Sequence, residues 1–377
     1  MSGELSAARL ARLGAVRAAM AEHGVDALLL SLGADLPWLS GYQAMPLERP
    51  TVLVVPSDAP ATLVVPRLEA PRVEPDGTLF ALRPWDELED PVALVAGLVG
   101  ARRSLAVSDR CWAQLLLALQ SELPKASWRL ASSVIGPLRE IKDVHEIAAL
   151  AAAASAADAV AAALFAGEIP LIGRSEAEVS AEIGRRLIDA GHERVNFAIV
   201  ASGPNAASPH HEPGARRIRA GEAVVCDFGG TMRTEQTGTA GYCSDTTRTV
   251  VTGPPSAELQ ECYEVLQDAQ ATAVAAVRPG VTCEAIDVAA REPITAAGFG
   301  EYFVHRTGHG IGIDEHEAPW IIGGNATTIR PGHAFSVEPG IYLPGRFGAR
   351  IEDIVVATEE GVRPLNTSEH GLVVVEA

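Results

Sequence analysis

Apolar and polar positions alternate in two rhythms along the first third of the chain. Leu5, Leu10, Leu13 and Val16 recur at helical spacing, which predicts an amphipathic helix over 5–23 closed by Gly24. The apolar run Val25–Ser31 reads as a buried strand, and Thr51–Val55 and Ala61–Val65 as two more, separated by the turn-rich SDAP. Alternating helix and strand predicts a mixed α/β domain over 1–138. Gly136-Pro137 reads as a break. Asp143, with Glu146 three residues on, reads as the capping box of a long helix. We therefore expect a second domain over 139–377, with the boundary near 137–141.

The second part repeats itself. Gly173, Ser175 and Gly191 recur, with their spacing unchanged, as Gly280, Thr282 and Gly298, each set reading as a capped helix closed by glycine. Ile218, Arg219, Gly221 and Ala223 recur in the same way, at a slightly longer offset, as Ile329, Arg330, Gly332 and Ala334. Carried on, the longer offset places Asp227 on Glu338, and the shorter one places Asp245 on Glu352. A structural duplication follows, giving an α+β domain with a pseudo-twofold axis.

All four acids lie in or beside β-branched, strand-like segments. In AVVCDFGG (223–230), a period of two puts Val225 and Asp227 on one face and Val224, Cys226 and Phe228 on the other. A carboxylate aimed into a sheet core must be paired, protonated or metal-bound. Four of them around one axis repel strongly unless cations intervene. Arg248 and Arg350 are too few for that. Two divalent ions would balance four carboxylates and leave room for a neutral imidazole, and FVHRTGHGIGIDEHEAP (303–319) offers His305, His309 and His316. Oxygen ligands with one imidazole favour manganese, cobalt or iron, with zinc also compatible. Two ions about 3.5–4 Å apart can activate a bridging water and polarise a carbonyl.

Composition removes other classes. The 377 residues carry a formal net charge of −18, with 47% hydrophobic and 21% charged residues, which is ordinary globular composition and repels a polyphosphate. We expect no nucleic-acid partner. The N-terminus has no signal-peptide pattern, and no run of about 18 uncharged apolar residues marks a membrane span. The alanine-rich 147–166 comes nearest but contains Asp158. Five cysteines without a CxxC read as free thiols of a cytoplasmic protein. GHGIG (308–312) lacks a following lysine and a strand–turn–helix setting, so it is not read as a phosphate loop.

The motifs SPHHEPG, CDFGG, GYCSDTTRT, HRTGHGIG, SVEPGIY and ARIEDIV, in that order, resemble the metal-dependent X-Pro peptidases of the pita-bread fold, the prolidases and aminopeptidases P. The resemblance implies two divalent metal ions, manganese foremost, held by Asp227, Asp245, His309, Glu338 and Glu352. It implies a metal-bridged hydroxide as nucleophile, with Glu338 also accepting a proton from the attacking water. His316 would steady the developing oxyanion. His210 and Arg350 would line the proline side and anchor the substrate's C-terminal part, with His305 and Tyr342 at further pocket positions. It also implies a creatinase-like N-terminal domain, a homodimer, and as substrate a small peptide with proline at the second position: an X-Pro dipeptide, or a longer peptide in the aminopeptidase P case. The same fold hosts creatinase-like C–N hydrolases, lyases and non-catalytic peptide-binding modules, which stay as alternatives. One departure is the spacing of Asp227 and Asp245, wider than the family's, with TMRTEQTGTA lengthening the hairpin between them into an expected protruding loop. Cys243, two residues before Asp245, reads as a small structural side chain, and Trp38 as an aromatic anchor.

Overall fold

The computed structural model describes residues 3–74, 76–235, 237 and 240–376. Gln236, Gly238 and Thr239 of the lengthened hairpin lie outside the described residues, as do Met1 and Ser2. The chain divides into one unit of Met1–Arg139 with Thr234–Ala240 and a second of Glu140–Arg233 with Gly241–Ala377.

In the first unit the long N-terminal helix spans Gly3–His23. Six strands form one mixed sheet in the order Phe80–Trp85, Ala61–Pro66, Val52–Pro56, Ala27–Leu30, Ser104–Val107, Ser127–Leu130. Ala27–Leu30 runs antiparallel to Val52–Pro56 and parallel to Ser104–Val107, so helices must cross the sheet's faces. Leu29, Val54, Val64 and Leu105 form its core with Val95, Val99 and Leu119 of two crossing helices. Trp38 is buried, with the Arg12 guanidinium 5.0 Å from its ring centre. Gly136-Pro137 does not break the chain: a short helix, Ser132–Arg139, runs through it and stops two residues later. A short helix tolerates an internal proline because few of its amide groups have helical partners to lose.

The second unit opens with the helix Val144–Phe165. Asp143 accepts from the amides of His145 and Glu146 at 2.9 Å, and Glu146 accepts from the Asp143 amide at 2.9 Å, which is the expected capping box. By length and hydropathy this helix could cross a membrane. Here it packs as a core helix: Ala149, Ala153, Ala157 and Ala161 are buried, and Asp158 accepts from Asn366 Nδ2 at 3.1 Å.

The sequence repeat is a repeat of structure. Ser175 bridges Arg217, and Thr282 bridges Thr328. Gly173 N donates to Ile218 O at 2.9 Å, and Gly280 N to Ile329 O at 3.0 Å. Each copy leads from a helix pair into a sheet. Val144–Phe165 and Glu176–Asp189 precede the sheet Val373–Val374, Thr246–Val251, Ala223–Met232, Arg194–Ser202; Ala257–Ala276 and Cys283–Ala296 precede Glu317–Ile321, Gly308–Gly310, Ala334–Val337, Asp353–Thr358, Gly361–Pro364. Each sheet packs its apolar face on its own helices, Val224, Cys226 and Phe228 in one copy and Phe335, Val337 and Val355 in the other. The copies are joined where Glu352 N donates to Thr247 O at 3.1 Å.

Candidate metal centre

Strand geometry delivers the acids to that junction. Asp227 sits within Ala223–Met232 opposite Thr247, its side chain on the face away from the helices as the alternation requires. Asp245 immediately precedes Thr246–Val251, Glu338 immediately follows Ala334–Val337, and Glu352 lies between Phe347–Arg350 and Asp353–Thr358. His309 is the middle residue of Gly308–Gly310. Its glycine neighbours are obligatory: a Cβ on Gly308 would stand 1.8 Å from Ser336 O, and one on Gly310 would stand 2.2 Å from Ala318 O. That close approach brings the His309 strand against both its neighbours.

The five side chains expected to converge do so. Asp227, Asp245 and Glu352 offer oxygens within 4.8 Å of one another, as do the donor atoms of His309, Glu338 and Glu352, and those of Asp245, His309 and His316. His309 Nε2 is 3.5 Å from Asp245 Oδ2 and 3.4 Å from Glu338 Oε1. Its Nδ1 lies 3.1 Å from Gly310 O, so the hydrogen-bond network assigns the proton to Nδ1 and aims the Nε2 lone pair at the carboxylates.

An unshielded cluster of this kind opposes its own charge. Burial, and then Glu352, Asp227 and Glu338, hold Asp245 well above the carboxylate range. Burial and then Glu338 do the same to Glu352. Glu338 is pushed up to about 7, first by burial. His309 is pulled down to about 3 by burial and then His316, so it is neutral. Asp227 Oδ1 is buried without a hydrogen-bond partner. Clustered carboxylates, an orphaned oxygen and a lone pair facing acids fit divalent cations, and the donor set is the oxygen-rich type with one imidazole.

A second layer holds the donors. Thr247 Oγ1 donates to Glu352 Oε2 at 2.7 Å and accepts from Arg350 Nε at 2.9 Å. Ser336 Oγ donates to Glu338 Oε1 at 3.2 Å and accepts from the His309 amide at 3.0 Å. Arg248 turns away from the cluster: it is fully buried, donates to Thr247 O and Glu352 O, and pairs with Asp353 at 2.7 Å. Cys243 is buried with Sγ 3.4 Å from Ile313 O, and burial pushes its thiol up to about 12, which suits a structural role.

The cluster forms the floor of a cavity of about 450 Å³ whose wall includes His210, His305, His316 and Arg350. The His316 ring lies 3.8 Å, centre to centre, from that of His309. Tyr342 stands behind the wall, its hydroxyl 2.9 Å from His305 Nε2 and accepting from Arg350 Nη1 at 2.8 Å. Burial, then Arg350, pulls His305 down to about 3. Sequence reasoning left out Arg306, Phe197, Ile199 and Ile322, which also line the cavity. It also left out Glu176. This fully buried carboxylate accepts from Ser202 N at 2.9 Å and Asn205 Nδ2 at 3.0 Å, and lies 2.8 Å from His211 Nε2, so it pins both ends of the loop carrying His210. Its only sequence signal is an acid at the first position of a capped helix, which on its own reads as dipole compensation.

The sequence profile of metallopeptidase family M24 matches residues 140–359, and that of the creatinase/prolidase N-terminal domain matches 12–141. The chain is 44% identical over 368 residues to a probable dipeptidase PepE of Mycobacterium tuberculosis, covering 97% of this chain and 96% of the relative. It is 37% identical to a Xaa-Pro dipeptidase of Lactobacillus helveticus, covering 93% and 95%. Among solved structures, the dipeptidase PepE from Mycobacterium ulcerans superposes with a TM-score of 0.90 at 44% identity, over 98% of each chain. The prolidase from Thermococcus sibiricus gives 0.89 at 38% identity, over 96% of this chain and 97% of that one.

Proposed function

The chain belongs to metallopeptidase family M24, with a creatinase-type N-terminal domain and a pita-bread catalytic domain, and on that premise we propose that it is an X-Pro dipeptidase working with two divalent ions. The observation that carries this reading is the set of overlapping donor trios, in which Glu352 and Asp245 are each shared. Asp227, Asp245 and Glu352 would hold one ion; His309 and Glu338, with the shared Asp245 and Glu352, would hold the other. Manganese is the first candidate, with cobalt, iron and zinc next. The ions, when bound, activate water and polarise the scissile carbonyl.

The remaining work falls to side chains. The bond before proline is a tertiary amide, so its nitrogen must gain a proton before it leaves as an amine. Glu338, at the cavity floor, takes the proton from water and carries it there. His316, its ring tilted against that of His309 and lining the cavity, donates to the carbonyl oxygen as negative charge develops. His210 and His305 enclose the proline side, and Arg350, held by Tyr342 and Asp227, stands in the same wall. The dipeptidase and Xaa-Pro dipeptidase names of the relatives favour this reading over a creatinase-like hydrolase, a lyase or a binding module. A homodimer and a cytoplasmic location belong to the same proposal; the five free cysteines accord with a reducing compartment.

The test is metal analysis joined to turnover. Purified protein should carry two divalent ions per chain and hydrolyse Ala-Pro, losing both on chelation and regaining both with manganese. Absence of metal together with absence of Ala-Pro hydrolysis would favour the binding-module alternative. Size-exclusion chromatography with light scattering checks the dimer.

A further inference from the structure

The cavity wall holds two guanidinium groups, and their N–H groups are committed very differently. Arg350 Nε donates to Thr247 Oγ1, Nη1 to Tyr342 Oη at 2.8 Å and Pro209 O at 3.3 Å, and Nη2 to Asp227 Oδ2 at 2.6 Å. Its charge is matched inside the protein and its donors are nearly used up.

Arg306 is placed otherwise. It is half-buried, and its guanidinium lies 4.3 Å from the centre of the Trp320 ring. Its polar contact is Nη2 to His316 Nδ1 at 3.4 Å, which is long for a hydrogen bond. Among the described residues no carboxylate stands within ion-pair distance of it. A guanidinium offers five donors in a fixed fork. Stacking on an aromatic face stiffens that fork and recovers part of its desolvation cost, but it satisfies none of the N–H groups. What remains is a preoriented, half-dry cation at the wall of a substrate cavity, matched in geometry to a carboxylate.

We propose that Arg306 is a specificity-determining residue that pairs with a carboxylate of the peptide substrate; this rests on the X-Pro peptidase reading. A short peptide can bring that group from two places: its C-terminus, or an acidic side chain on the residue before proline. In either case the preferred substrate is an anionic short peptide, and neutralising its carboxylate removes the preference.

Two substrate pairs separate the sources: Ala-Pro against Ala-prolinamide, and Glu-Pro against Gln-Pro. In the wild type, kcat/KM favours the charged member of at least one pair. Arg306→Gln cuts kcat/KM for that member, relative to its neutral counterpart, about tenfold or more, the scale of a charge-assisted hydrogen bond. Arg306→Lys restores part of the preference. The pair whose ratio collapses identifies the carboxylate. A partly unfolded preparation lowers both members alike and leaves the ratios intact. If both ratios are the same in the wild type and Arg306→Gln, the proposal is overturned. A wild type that does not turn over Ala-Pro counts against the peptidase reading instead; the same ratios are then read as calorimetric affinities of these four peptides for the intact protein.

Discussion

Thr247 and Glu352, far apart in the chain, meet twice at the junction of the two repeats: the Glu352 amide donates to the Thr247 carbonyl, and the Thr247 hydroxyl donates to the Glu352 carboxylate at 2.7 Å. The hydroxyl also accepts from Arg350 Nε, so a neutral side chain fixes the orientation of a shared acid. Thr247→Val keeps the shape and removes the hydroxyl. We expect metal affinity to fall about 10–100-fold, and stability to fall by roughly 1–3 kcal/mol for the groups left without partners. Thr247→Ser should recover most of the affinity. Metal titration followed by calorimetry checks both.

Removing an acid should cost function while stabilising the metal-free fold. Glu352→Gln keeps the volume and an acceptor for Thr247 but deletes an acid whose charged form is opposed by burial and by three neighbouring acids. Thermal unfolding in chelator should show the variant more stable than the wild type by roughly 2 kcal/mol, while bound metal and Ala-Pro turnover are lost. A variant less stable than the wild type in chelator would contradict the repulsion argument.

The same cluster sets a pH dependence. Glu338 has a folded value of about 7 against an ordinary 4.5, so the folded chain binds more protons than the unfolded one through that window and stability falls as pH rises. Asp245 and Glu352, raised well above their ordinary values, extend the fall to higher pH. His309 and His305, both lowered to about 3 from 6.5, act in the opposite sense, and their contribution to the slope fades above pH 6.5. Metal-free protein should therefore lose stability between about pH 6.5 and 8, where the raised acids outweigh the fading contribution of the histidines. Saturating manganese should abolish that fall. Melting temperature across this range, with and without chelator, is the measurement.

Glu176 gives a test away from the metal. Glu176→Ala strands Ser202, Asn205 and His211, which should cost roughly 3 kcal/mol and release the loop bearing His210. Bound metal should be retained while KM for Ala-Pro rises, which separates a loop defect from a metal defect.

What the sequence carried was the part written in local rules. A period of two placed Asp227 opposite the apolar face, Asp143 and Glu146 announced a helix start, and the repeated glycine and hydroxyl positions reappear as paired backbone bridges at Ser175–Arg217 and Thr282–Thr328. What it did not carry depends on partners distant in the chain. Arg306 lies within HRTGHGIG, but its setting, on the Trp320 ring and beside His316 with no acid within ion-pair distance among the described residues, exists only once the chain has folded. Arg248 looked like a counter-ion for the cluster until Asp353 claimed it. The short strands Ser104–Val107 and Ser127–Leu130 are set by parallel pairing with each other and with Ala27–Leu30, which no local pattern encodes.

The duplication also bears on how such a centre could arise. Asp227 and Asp245 come from one copy, His309, Glu338 and Glu352 from the other, and the covalent tie between the copies runs through the turn Gly253–Ser256 into the helix Ala257–Ala276. A lone ancestral copy would have carried two acids and an open seam. Pairing of two such copies would close the seam and assemble four acids at once. His309 has no histidine counterpart in the earlier copy, where the two offsets of the repeat lead back to Ser202 and Ala198, so the imidazole marks that loss of symmetry.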